Sequence, residues 1–257
     1  MRIFNTCFSR PQQMREPVKY FFPRFSLSAT IGPLRSIGLL LLLIAHPAFA
    51  DADPSRQFLD AWLAQQAQAK TWSADVVQIR KLKSLVRPLK SRGRVWFRQP
   101  NRFRWQLGEP PRTIAVRTED KLLVVYPRLK QIEQYPLGDA IDPSWKQVLA
   151  LLEVGFPSDP DTFHARYELL QAERIGQVWH FELRPADREA RRLLEKVRLE
   201  VSIDDLTLLA TELVFPGGST MRNQFSGHQL NPDLDEALFK VEIGEGYQVV
   251  NPLQGRK

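Results

Sequence analysis

The sequence predicts a mainly β fold with a few α-helices, in which an antiparallel sheet curls into an open, half-closed barrel lidded by helices. After residue 70 the apolar period drops from that of a helix to that of a strand, and roughly ten strand candidates follow. Turn residues such as Gln99-Pro100-Asn101 and Pro216-Gly217-Gly218 separate many of them. Only two convincing helices accompany these strands. A sheet with one apolar face would therefore have to bury that face by curling on itself.

Residues 1–50 have the pattern of a secretory signal peptide that is cleaved after Ala50. Arg35 precedes an apolar core over residues 37–45, and small residues follow it. The alternative is an uncleaved anchor helix. It is disfavoured because the core is only about nine residues long, whereas a membrane-spanning helix needs roughly 20. We expect residues 51–257 to form a single domain after export.

The basic excess of the chain lies mainly in this N-terminal segment. The chain has 36 Lys and Arg against 29 Asp and Glu, but six of the basic residues and one acid precede residue 51. The mature chain then has 30 basic and 28 acidic residues, and a net charge of +2 does not indicate a nucleic-acid partner. The single cysteine, Cys7, is removed as well, so no thiol remains for a disulfide, a metal or a lipid anchor.

The first predicted element is a helix over Pro54–Lys70. Asp53 can cap it, Pro54 suits the first helical position, and an apolar stripe follows at helical spacing: Phe58, Leu59, Trp62, Leu63 and Ala67. A second helix is predicted over Pro143–Val154, ended by Gly155. Asp187–Glu195 is predicted to be an exposed loop or short helix, and Asn231–Leu238 a short helical turn.

The strands are predicted from alternation of apolar and polar residues. The regular ones are Arg102–Leu107, Gln177–Leu183, Arg198–Ile203 and Phe239–Ile243. The less regular ones are Trp72–Leu82, Arg92–Arg98, Thr113–Thr118, Leu122–Tyr126, Lys130–Tyr135, Phe163–Gln171, Leu206–Phe215 and Thr220–His228. Their succession without long helical crossovers predicts antiparallel pairing by hairpins and an apolar pocket on the concave side.

The mature sequence has no motif that indicates catalysis. Its histidines, His164, His180 and His228, lack the spacing of metal ligands, and no serine elbow or phosphate-binding loop is present. We therefore predict a protein that is not an enzyme and needs no metal or cofactor.

One segment, Gly93 to Leu137, carries a family resemblance. It contains a G-x-h-W strand ending at Trp96, the pattern P-x-x-F-x-W from Pro100 to Trp105, a strand pair with an acidic turn, and K-Q-I-E-Q. A second segment near the end of the chain, Asp235 to Phe239, contributes to the same resemblance. The chain resembles the outer-membrane lipoprotein carrier family, the LolA-type proteins, which are similar in fold to the LolB-type receptors.

This resemblance implies a monomeric periplasmic chaperone that shelters the acyl chains of lipoproteins in an apolar cavity. Its implied partners are acylated lipoproteins, an ATP-driven exporter in the inner membrane and a lipoprotein receptor in the outer membrane. Two alternatives stay open, a divergent carrier of another lipid or glycolipid and an envelope lipid sensor. In the family an arginine usually precedes the proline of P-x-x-F-x-W and holds the lid closed, whereas Gln99 occupies this lid-latch position here.

The apolar strand faces supply the candidate lipid-binding residues: Trp96, Phe103, Trp105, Leu107, Leu123 and Val125, with Leu149 and Leu152 from the second helix. Alternation predicts only that such side chains point inward, so each of them could equally be ordinary core. The same strands carry a basic group, which we interpret first as a solvated face and otherwise as a surface for anionic lipid or an acidic partner: Arg92, Arg94, Arg98, Arg102 and Arg104.

Overall fold

The computed structural model describes residues 53–137, 155–157 and 159–252. They begin with the predicted helix, α1 (Pro54–Gln68). Asp53 caps it by accepting a hydrogen bond of 3.0 Å from the backbone N–H of Ser55, and the helix buries Leu59, Trp62 and Leu63.

The strands of the described ranges form one sheet. In chain order they are β1 (Thr71–Lys81), β2 (Leu89–Arg98), β3 (Arg102–Leu107), β4 (Thr113–Arg117), β5 (Lys121–Tyr126), β6 (Gln131–Pro136), β7 (Tyr167–Ile175), β8 (Val178–Pro185), β9 (Lys196–Ser202), β10 (Leu208–Val214), β11 (Thr220–Leu230) and β12 (Gln248–Val250). Their order across the sheet is β12-β6-β5-β4-β3-β2-β1-β11-β10-β9-β8-β7. All neighbours pair antiparallel except β12, which runs parallel to β6.

The sheet is strongly curled but not closed. Glu133 of β6 and Leu213 of β10 line the same cavity, although seven strand spacings, about 34 Å in a flat sheet, separate their strands. Within the described ranges no pairing joins the edge strands β7 and β12. The mainly β, antiparallel prediction is confirmed, while the half-closed barrel is better described as an open, curled sheet.

Two short helices lie between strands. The predicted strand Phe163–Gln171 is wrong in its first part, because α2 (Pro160–Arg166) precedes β7. Asp159 accepts a hydrogen bond of 2.9 Å from the N–H of Thr162, and this cap starts the helix. The next helix, α3 (Arg188–Leu193), falls within the segment predicted to be a loop or short helix. The predicted helix Pro143–Val154 lies outside the described residues.

The C-terminal part departs most from the sequence prediction. Phe239–Ile243 is not a strand; a 3₁₀ helix (Glu236–Phe239) ends there, and Phe239 is 1% exposed. Asp235 caps this helix by accepting a hydrogen bond of 2.9 Å from the N–H of Ala237. The chain then continues to β12 without regular structure. We call residues 231–247, which lead from β11 to β12, the C-terminal strap.

Both faces of the sheet carry apolar clusters. The larger cluster joins α1 to side chains from ten strands, among them Val95, Val124, Phe181 and Phe225. A smaller cluster of Leu123, Val125 and Ile132 packs against Ile114 and, from the C-terminal strap, Val241 and Tyr247. The strap thus covers part of the face that is opposite to the main cluster.

Candidate functional site

An apolar cavity of about 730 Å³ lies within the curl of the sheet. This volume falls in the range typical of sites for small ligands. Strands β1 to β6, β10 and β11 contribute to its wall, together with the segment 155–157. Its apolar lining consists of Leu89, Phe103, Trp105, Leu107, Ala115, Leu122, Val124, Tyr126, Leu129, Phe156, Leu213, Met221 and Phe225.

Phe156 is the centre of the aromatic contacts at one end of this cavity. Its ring stacks on Phe97 with a centroid separation of 5.3 Å and meets Trp72 edge-on at 4.7 Å. Trp105 and Phe225 lie 6.3 and 6.2 Å from it. Sequence analysis missed Phe156, because it follows a glycine outside any element with a clear periodicity.

Five polar side chains that line the cavity are hydrogen-bonded to one another. Gln78 donates to the side-chain oxygen of Asn223 at 3.1 Å, and Asn223 donates to the hydroxyl of Thr211 at 3.1 Å. The Tyr135 hydroxyl donates to the Glu133 carboxylate at 2.8 Å, and burial, followed by this contact, raises the pKa of Tyr135 above its usual value. These pairs lower the cost of burying polar groups beside apolar ones.

The described residues contain no group of three or more His, Cys, Asp or Glu side chains that could hold a metal ion. Their helices also lack any that is long and apolar enough to cross a membrane.

Three of the candidate residues line the cavity together. Phe103, Trp105 and Leu107 alternate along β3 and face it. Trp96 is not among the lining residues; the guanidinium of Arg94, on the same face of β2, lies 5.6 Å from its ring centroid. Leu149 and Leu152 lie outside the described residues.

Leu123 and Val125 require a correction. They pack in the smaller cluster under the C-terminal strap, whereas Leu122 and Val124 line the cavity. The four residues are apolar without a break, because β5 is buried on both faces. Alternation therefore could not indicate which pair faces inward.

Gln99 lies where the turn between β2 and β3 meets the end of α1. Its side-chain amide donates to the carbonyl oxygens of Ala67 at 2.9 Å and Gln66 at 3.3 Å. Its backbone N–H donates to the carbonyl oxygen of Lys70 at 2.9 Å. The last carbonyls of a helix have no partner within the helix. Gln99 satisfies that of Ala67 and adds a second hydrogen bond to that of Gln66, which also accepts from the backbone N–H of Ala69 at 3.1 Å.

Several of the basic side chains on β2 and β3 hold the C-terminal strap. Arg98 and Arg102 both contact the Glu236 carboxylate, the latter at 2.7 Å, and their guanidinium groups lie 5.2 and 4.8 Å from the ring centroid of Phe239. Arg104 donates to the carbonyl oxygen of Leu238 at 3.2 Å. These arginines therefore bind the C-terminal strap to the outer face of the sheet.

The described residues thus form a curled antiparallel sheet around an apolar cavity, with α1 tied to the β2–β3 turn. The family model described as "Outer membrane lipoprotein carrier protein LolA" matches residues 67–242. The chain therefore belongs to this family, whose members are carriers rather than enzymes.

Two relatives in sequence agree with this membership. The chain is 29% identical over 165 residues to the outer-membrane lipoprotein carrier protein of Dechloromonas aromatica (strain RCB). The aligned region covers 64% of this chain and 73% of that protein. It is 26% identical over 158 residues to the protein of the same name from Chromohalobacter salexigens, covering 62% and 70%. Among solved structures, an uncharacterized conserved protein from Thermus thermophilus has 15% identity and a TM-score of 0.46, covering 77% of this chain and 99% of that one.

Proposed function

We propose that this chain is a periplasmic chaperone that binds the acyl chains of lipoproteins in its cavity and carries them from the inner to the outer membrane. The observation that carries the proposal is the apolar cavity lined by Phe103, Trp105 and Leu107, three residues that sequence analysis selected as lipid-binding. Family membership supports lipoprotein as the cargo.

The energetics of such a carrier are demanding. Transfer of an acyl chain out of water gains about 0.8 kcal/mol per methylene, so a 16-carbon chain corresponds to roughly 12 kcal/mol. The cavity meets this need with apolar side chains from eight strands rather than with one tight slot. An adaptable apolar surface of this kind can hold chains of different length and still release them.

The proposed carrier is exported, loaded at the inner membrane and unloaded at the outer membrane. Residues 1–50 act as a signal peptide, cleavage follows Ala50, and the domain over residues 51–257 works in the periplasm. An ATP-driven exporter in the inner membrane loads the carrier, and a lipoprotein receptor in the outer membrane unloads it. Gln99 replaces the usual arginine as the latch of the lid, and its two hydrogen bonds to the end of α1 support this role.

A release assay tests the carrier function. The processed protein, isolated after expression of the full chain, is added to spheroplasts of its own host, and acylated lipoproteins are counted in the soluble fraction. We expect release as a one-to-one complex. Trp105→Ala should lose most of this release, whereas Trp96→Ala, on the other face of the sheet, should keep it.

The controls separate binding from folding. Both tryptophan variants are first compared by thermal unfolding, because a variant that does not fold gives no information on the cavity. Equal loss of release in two folded variants contradicts the role of the cavity. Absence of release from the folded wild type contradicts lipoprotein cargo, and mass spectrometry of lipids extracted from the protein then shows whether it holds another lipid or glycolipid.

A further inference from the structure

The hairpin between β1 and β2 ends in an exposed apolar tip. Val86 is 101% exposed, Leu85 44% and Leu89 41%. Every residue from 83 to 90 is exposed, so the tip stands in solvent rather than packing on the domain. Isolated apolar residues are common on surfaces, but three within five positions on one projecting hairpin form a patch that indicates an interaction.

Basic residues surround this tip. Lys81, Lys83, Arg87, Lys90 and Arg92 are all exposed. No Asp or Glu occurs between Asp75 and Glu109. In the part of the chain that the structure describes, none of these five side chains makes an ion pair or a hydrogen bond. Within the described ranges, the positive charge of the hairpin is therefore not compensated by a paired carboxylate.

In the other half of the sheet, several basic residues form ion pairs with glutamates on nearby strands. Lys196 and Arg198 contact Glu182 at 2.6 and 3.0 Å, and Arg222 contacts Glu200 at 2.7 Å. Neutralised pairs of this kind are the pattern of an ordinary solvated strand surface. Their contrast with the unpaired cations of the hairpin shows that the charge there is not a general feature of the surface.

The hairpin also stands at the cavity. Arg80, near the end of β1, and Leu89 and Lys90, the first residues of β2, also line the cavity. Whatever the tip binds is consequently brought close to the wall of the cavity.

We propose that the β1–β2 hairpin docks on an anionic lipid bilayer, with Leu85 and Val86 inserted among the lipids and the basic residues on the headgroups. Apolar residues flanked by Lys and Arg combine burial of apolar area with attraction to anionic lipid. Docking of this kind places the cavity against the membrane that supplies or receives its ligand. This surface goes beyond the proposed carrier function and does not depend on the identity of the cargo.

Cosedimentation with vesicles tests the proposal. The processed protein is mixed with extruded vesicles of phosphatidylcholine alone or with phosphatidylglycerol added. We expect sedimentation only with the anionic vesicles and a decrease with added salt. Lys83→Gln combined with Arg87→Gln should weaken the partition coefficient roughly 30-fold, and Val86→Ser roughly tenfold.

Ile175→Ser is the matched control. Ile175 is 55% exposed and ends β7, the strand at the opposite edge of the sheet from β12. This change should leave vesicle binding as it is. Equal binding to neutral and anionic vesicles, no binding to either, or an equal loss in Ile175→Ser would overturn the docking surface.

A separate measurement distinguishes ligand binding in the cavity from membrane binding by the hairpin. Binding of a fluorescent fatty acid without vesicles reports on the cavity, and the hairpin variants should retain it. A protein that takes up the probe but ignores anionic vesicles overturns the docking surface alone. A protein that binds vesicles but never takes up the probe contradicts the carrier function and leaves the docking surface supported.

Discussion

The side-chain amide of Gln99 donates a hydrogen bond of 2.9 Å to the carbonyl oxygen of Ala67. This contact joins the turn between β2 and β3 to the last turn of α1, and the backbone N–H of Gln99 reinforces it through Lys70. Because α1 buries Leu59, Trp62 and Leu63 against the sheet, the same turn that leads into the cavity-lining strand β3 also anchors the helix.

Replacement of Gln99 by alanine is expected to loosen the end of α1. The unfolding free energy should fall by about 1 kcal/mol, the usual value of one such hydrogen bond. Amide hydrogen exchange in the last turn of α1 should become faster. Gln99→Glu should cost more, because its carboxylate would face carbonyl oxygens at the negative end of a helix. Unchanged exchange in both variants would show that this contact does not hold the helix.

Gly93→Ala is expected to disrupt the pairing of β2 with β3. A Cβ atom at this position would lie 1.8 Å from the carbonyl oxygen of Gln106, which is a backbone atom held in the sheet. Since β2 pairs with β1 and β3 with β4, neither strand can move freely, and we expect a loss of about 3 kcal/mol in urea denaturation. Ser91→Ala on the same strand is the control and should change stability by less than about 0.5 kcal/mol.

Phe239→Ala is expected to release the C-terminal strap. Phe239 is almost fully buried beneath Arg98 and Arg102, so its truncation should cost about 3–5 kcal/mol in unfolding free energy. Limited proteolysis should then cut between the 3₁₀ helix and β12. Glu236→Gln changes only a half-exposed ion pair and should cost less than about 1 kcal/mol. Equal losses of unfolding free energy in the two variants would contradict the conclusion that burial of Phe239, rather than the ion pair of Glu236, holds the strap.

Stability should depend on pH through Glu200. The bidentate hydrogen bonds from Arg222, at 2.8 and 2.7 Å, hold the pKa of the Glu200 carboxyl below its usual range. The folded-state pKa lies below that of the unfolded chain, so this stabilisation is complete above the unfolded value and is lost as pH falls through the folded value. Glu200→Gln should therefore be less stable than the wild type near about pH 7, with a difference that shrinks below about pH 4.

The control for this pH dependence is Glu173→Gln. Glu173 is exposed on β7 and makes no ion pair or side-chain hydrogen bond within the described residues. Its unfolding curve should remain parallel to that of the wild type when both are measured by chemical denaturation across the acid range. A constant difference between Glu200→Gln and the wild type at every pH would show that the ion pair does not contribute through its charge.

Much of the fold was readable from local patterns. The cap at Asp53 and the apolar stripe predicted α1, and strict alternation predicted the cavity face of β3. These predictions succeeded because each element has one buried face, so its period is visible in the sequence. The predictions that strands begin at Phe163 and Phe239 were wrong, since a buried aromatic residue in a short capped helix has the same local pattern as the start of a strand.

The sequence by itself determined the class of the protein: a mainly β domain with antiparallel strands, an initial helix and an apolar interior. Only the tertiary structure decided which side chains face the cavity. The C-terminal strap covers the outer face of β5, so both faces of that strand are apolar and Leu122 and Val124, rather than Leu123 and Val125, point inward. The contacts of Phe156, likewise, come from residues far apart in the chain. Local periodicity indicates how apolar a face of a strand is. Whether that face borders the cavity or another part of the chain depends on distant segments that pack against it.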